Sequence, residues 1–80
     1  MELQLGVYQH YKGNFYQIIG FARHTETLEE LVVYQALHGN YGLWVRPIKM
    51  FLENVLHENL QMPRFKYIGQ SFTAIHSIKS

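Results

Sequence analysis

The 80-residue chain has no cysteine and no aspartate, and it carries only two prolines. Without cysteine there is no disulfide framework, no thiolate nucleophile and no cysteine-based zinc cluster. A chain this small must then hold together by packing or by self-association. Charge is sparse as well: 16% of residues are charged, the formal net charge is +1 and the pI is near 8.1. Dedicated duplex-DNA binders usually show a basic patch and a domain pI above about 9, so bulk charge argues against that class. Five histidines qualify this, because protonation below neutral pH adds positive charge. Long apolar runs are missing too; the longest are a few residues, far short of the roughly 20 that span a bilayer. Met1-Glu2-Leu3-Gln4 lacks the basic start of a secretory signal, and no apolar stretch follows it. The expectation is a cytoplasmic protein that does not associate with membranes.

What the chain does have is aromatic surface: six Tyr, five Phe and one Trp, 15% of the residues, within a 48% hydrophobic composition. That load excludes a disordered tail, which lacks the apolar area to offset chain entropy. The length suits one domain that buries about 60–65% of the surface of its unfolded chain. We expect a single domain over 1–80, with its core structure in 5–68 and a weakly patterned tail in 69–80.

Along the chain, short β-rich segments alternate with glycine and asparagine. Leu5 to Lys12 leads to Gly13-Asn14, a hairpin signal, and then to Phe15 to Arg23. His24 to Glu30 reads as a loop, followed by a strand from Glu30 to Leu37 whose Leu31-Val32-Val33-Tyr34 run favours extended backbone. Gly39-Asn40-Tyr41-Gly42 turns the chain into Leu43 to Arg46, and Pro47 ends regular pairing. Ile48, Phe51, Leu52, Val55 and Leu56 then recur near helical spacing, with Pro47 suited to the first helical position. Asn59 to Pro63 reads as a loop and Arg64 to Ile68 as a last strand. The expected fold is all-β, an SH3-like small barrel of about five antiparallel strands with one short helix or 3₁₀ turn; a sheet with a helix packed on one face is the alternative.

A two-residue Gly13-Asn14 loop would set Lys12 opposite Phe15, His10 opposite Gln17 and Tyr8 opposite Ile19. Tyr8, His10, Lys12, Phe15 and Gln17 would form a partly exposed strip, with Val7, Tyr11, Tyr16, Ile18 and Ala22 as the core face. Likewise a four-residue loop at Gly39 to Gly42 would set Gln35 beside Arg46 and Leu37 beside Trp44. Arg46 lies inside an apolar run, so it must reach solvent, a carboxylate such as Glu29 or Glu30, or a ligand, because burial unpaired costs several kcal/mol.

The elements Gly6-Val7-Tyr8-Gln9-His10-Tyr11-Lys12-Gly13, Trp44-Val45-Arg46-Pro47 and Pro63-Arg64-Phe65, in this order and together with Tyr16, His24, Glu29, Tyr34, Met50 and Phe51, resemble the bacterial family catalogued as domain of unknown function 1653. The likeness runs from Gly6 to Ile68. It implies a small, stand-alone bacterial cytosolic domain, and it brings no activity, cofactor or catalytic residue with it.

Catalytic chemistry finds no purchase. His10, His24 and His38 are spaced by fourteen, but no pair has metal-ligand spacing, so no metal or other cofactor is expected. Ser71, Ser77 and Ser80 sit in the tail without a nucleophile elbow, and Glu29-Glu30 point to opposite sides of a strand. What remains is aromatic and basic: Tyr8, His10, Lys12, Trp44, Arg46 and Arg64 are the candidate binding residues. Two classes of partner suit them. Single-stranded nucleic acid would stack bases on the rings and set phosphates on the cations; a protein would use the aromatic groove or an open sheet edge. A homodimer would bury the surplus aromatic surface. A small anionic ligand on His10, Arg46 and Arg64 is the alternative, and a purely structural or oligomerisation role the last.

Overall fold

The computed structural model describes residues 3–71. Seven strands and one helical turn follow in order: β1 (Gly6–His10), β2 (Phe15–Arg23), β3 (Glu30–Ala36), β4 (Leu43–Pro47), α1 (Ile48–Phe51), β5 (Asn54–His57), β6 (Leu60–Pro63) and β7 (Phe65–Gly69). The all-β expectation with a small helix holds. The barrel does not: the main sheet is open, with five strands in the order β4-β3-β2-β1-β7, so β4 and β7 are its edges. All its pairings are antiparallel.

The second sheet, β5 with β6, replaces an expected helical extension and loop. Helical spacing persists through Leu56, but only Ile48–Phe51 is helical. Pro47 caps that turn from outside it, in an extended conformation (ψ 142°), rather than opening it. Glu58 and Asn59 both adopt left-handed backbone (φ 52° and 67°), as a two-residue type I′ hairpin requires. A Glu-Asn pair is a weak signal for that turn, and the hairpin was hidden behind the periodicity.

Both long hairpins are displaced from the expected register by the same amount. Phe15 pairs with Gln9 rather than Lys12, because Tyr11, Lys12 and Gly13 form a longer loop closed by the His10 N–H to the Asn14 carbonyl (2.8 Å). Trp44 pairs with Tyr34 rather than Leu37, the loop being closed by the Ala36 N–H to the Gly42 carbonyl (2.9 Å). An odd displacement exchanges faces. Tyr8 is therefore core, not surface, and it shares a face with Tyr16, Ile18, Val32 and Tyr34.

That face carries the core. Phe51 reaches it from α1 and stacks on Phe65 (centroids 4.1 Å apart, planes within 2°), while Tyr8 and Tyr34 meet Phe51 edge-on at 5.4 and 5.5 Å. Edge-to-face contacts add about 0.5–1.5 kcal/mol per pair beyond area burial. Gly6 begins β1 at φ 137°, where a Cβ would lie 2.6 Å from the Gly69 carbonyl oxygen. Gly6→Ala therefore meets both a strained backbone and a backbone clash that no rotamer relieves. It is expected to cost of order 1–3 kcal/mol, read as a lower denaturant midpoint at unchanged m; an unchanged midpoint would show that β1 and β7 separate freely there.

The expected tail over 69–80 falls mostly outside the described residues; Gly69 itself ends β7. Among the described residues no helix is long and apolar enough to cross a membrane.

Candidate functional site

Side chains alternate along a strand, so the register puts His10, Tyr16, Tyr34, Trp44, Arg46 and Phe65 on one face. Phe51 and its helical turn cover part of that face. The uncovered part is an open cup of about 180 Å³ lined by those six residues. Its floor is aromatic: Tyr16 meets both Tyr34 (5.6 Å) and Phe65 (5.7 Å) edge-on. Trp44, on edge strand β4, forms its rim and is 58% exposed.

Arg46 stands half-buried at the other side. Its Nε donates to the Tyr34 hydroxyl (3.3 Å), and its guanidinium lies 5.9 Å from the centre of the Phe65 ring. Among the described residues it has no carboxylate partner; Glu29 and Glu30 are exposed and elsewhere. Arg64 behaves differently. Its Nη2 pairs with Glu53 Oε1 at 3.2 Å, and its Nε is buried without a hydrogen-bond partner. Most of Arg64 therefore serves to tie β7 to the start of the β5–β6 hairpin, helped by the Arg64 N–H to the Glu53 carbonyl (2.9 Å).

His10 packs between Tyr11 (4.5 Å) and Phe65 (5.0 Å). Its Nδ1 accepts the Lys12 backbone N–H (3.2 Å), which leaves Nε2 as the protonated nitrogen of the neutral ring. Burial lowers its pKa below the ordinary 6.5, and the positive charges of Arg64, Arg46 and Lys12 lower it further. The three cations act on His10 with the same sign, and among the described residues no carboxylate lines the cup.

Of the six residues expected to bind, the structure brings His10, Trp44 and Arg46 together. Tyr8 is buried with its hydroxyl on the Gln4 carbonyl (2.7 Å), in a setting that raises its pKa chiefly by burial. Lys12 is exposed, its ammonium 5.9 Å from the Tyr11 ring, and reaches the site only through its charge. Tyr16, Tyr34 and Phe65 were missed as site residues; correct loop lengths would have placed them. Among the described residues no three His, Asp or Glu side chains group as metal ligands.

An open antiparallel sheet with one aromatic, cation-edged cup on its face defines a small all-β class of protein. The chain belongs to the family described as "Protein of unknown function (DUF1653)", whose model matches residues 6–67. It is similar to a protein of that family from Bordetella bronchiseptica known by crystal structure, at 38% identity and a TM-score of 0.80, over 86% of this chain and 91% of that one. No curated protein matches it.

Proposed function

We propose that the protein is a protein-interaction module of the bacterial cytoplasm, which holds a carboxylate displayed by its partner in the cup of His10, Tyr34, Trp44 and Arg46. The observation that carries this reading is convergence: the segments Tyr8 to Gly13, Trp44 to Pro47 and Pro63 to Phe65, distant in sequence, all contribute side chains to one open concavity. At that concavity a guanidinium has no carboxylate partner among the described residues, and a neutral imidazole offers an N–H. A planar carboxylate suits both donors. The volume suits one such group and is smaller than the roughly 300 Å³ of a typical small-molecule pocket.

Nucleic acid is less well served. Base stacking needs exposed rings, and Tyr8, Tyr34 and Phe65 are buried. Phosphate tracking needs uncommitted cations, and Arg64 is paired with Glu53.

Benzoate, followed by NMR, tests the reading. Benzoate is expected to shift the Trp44 indole and His10 signals with an affinity on the order of 1 mM, and neutral benzamide is not. Arg46→Gln should abolish the response while the fold persists. Equal responses to benzamide, or a stronger response to a single-stranded oligonucleotide that fades with salt, would overturn it.

A further inference from the structure

Among the described residues no strand pairs with the outer side of β4, and its apolar side chains face solvent: Leu43 is 66% exposed and Val45 61%. Edge strands of this kind are normally blunted by charge or covered. The Ala36 N–H bonds the Gly42 carbonyl, so Tyr34–Trp44 and Val32–Arg46 are the hydrogen-bonded pairs as the antiparallel ladder alternates. The backbone N–H and C=O groups of Leu43 and Val45 therefore point away from β3, toward the open edge. Pro47 has no N–H to offer, which bounds the available edge at its end. Trp44 and Arg46 project into the cup between these outward groups.

The charge pattern says what kind of strand fits. From Leu31 to Leu52 the only charged residues are Arg46 and Lys49, with no acid between them. A second copy of β4 would bring the same cations and no carboxylate, so it would leave Arg46 uncompensated.

We infer that an extended, acidic segment of a partner protein adds to β4 as a sixth strand, with the side chain beside Trp44 and Arg46 supplying the carboxylate to the cup. This rests on the reading of the cup given above, and it adds the mode of binding. Main-chain hydrogen bonds to Leu43 and Val45 hold the segment, Leu43 and Val45 cover its apolar side chains on the opposite face, and Arg46 selects the acid.

The probe is a blocked heptapeptide of alternating Thr and Val with one central Glu, compared with the same peptide carrying Gln there. The Glu peptide is expected to slow amide exchange at Leu43 and Val45 and to bind about tenfold more tightly than the Gln peptide. Val45→Pro removes an outward N–H and no ladder bond, so it should abolish peptide binding and leave the benzoate response intact. Leu43→Pro serves the same purpose should Val45→Pro unfold the sheet. Peptide binding undiminished in both proline variants would overturn strand addition while the cup stands. Benzoate without effect, with both peptides still protecting Leu43 and Val45 equally, would overturn the cup and the acidic preference but keep strand addition. A wild-type dimer in light scattering that Val45→Pro dissociates would overturn the proposal, because the edge would already be taken by a second copy.

Discussion

Phe51→Ala is expected to lower the thermal midpoint by on the order of 20 °C, the largest loss of any single truncation in this chain. Phe51 is 1% exposed and touches Phe65, Tyr8 and Tyr34 at once. Truncating a buried Phe to Ala costs about 3–5 kcal/mol, from lost transfer energy and the cavity left behind. A chain of 80 residues has a total stability of only about 4–12 kcal/mol. With no disulfide to hold the chain, little reserve remains. The cavity would also open beside the cup, since Phe65 is both the stacking partner of Phe51 and part of the cup's lining. Phe51→Leu, which keeps most of the volume, should cost much less. Far-UV circular dichroism on heating decides it: a shift under about 5 °C for the Ala variant would show that the stack is not the centre of the core.

Phe51 was legible as core because helical spacing and burial agree at that residue. The same spacing misled at Val55 and Leu56, which lie in β5, with Leu56 facing solvent. Local periodicity does not reveal a turn built from Glu58 and Asn59. Strand positions were more readable: β2 spans Phe15–Arg23 as its composition suggests, and β4 ends at Pro47. Their pairing was not. Register depends on loop length, and Gly13 at φ 111° closes a three-residue loop where Gly-Asn suggested two. That error moved Tyr8 into the core beside Tyr16, and the matching one at the Gly39–Gly42 loop hid the place of Tyr34 beside Trp44.

Arg46 was legible as an anomaly, a cation in an apolar run, but its fate was not. Alternation puts it beside Trp44 on the core face only once β3 and β4 are in register. Arg64 looked equivalent in sequence, yet Glu53, eleven residues earlier, claims it. That pairing depends on the β5–β6 hairpin, whose turn was not read, so the two arginines separate only in three dimensions.

Acid is expected to act on this protein in two opposite ways through one imidazole. Burial, then the charges of Arg64, Arg46 and Lys12, hold the folded His10 below its ordinary pKa of 6.5. In the unfolded chain the ring takes a proton near that ordinary value, and in the folded chain only at lower pH. Between the two the unfolded state binds more protons, so stability rises with pH. The contribution is complete above about pH 6.5 and is lost as pH falls through the window to the folded value. A carboxylate in the cup reverses the local field and raises the His10 pKa, so binding and protonation favour each other. Benzoate affinity should accordingly increase as pH falls from 7.5 toward 5.5, by at most about tenfold per unit for one coupled proton. The probe's own carboxyl stays ionised in that range, since carboxylic acids of this kind titrate near 4. The groups facing His10 are Arg46 from β4, Arg64 before β7, Lys12 and Tyr11 from its own loop and Tyr16 from β2, none of them acidic. His10→Asn keeps an acceptor near the Lys12 amide and removes the titration. The variant should lose both slopes together. Melting temperature and benzoate affinity measured across this range in both proteins give the answer: slopes of the same sign, or slopes that survive in the variant, would place the pH dependence elsewhere than at the cup.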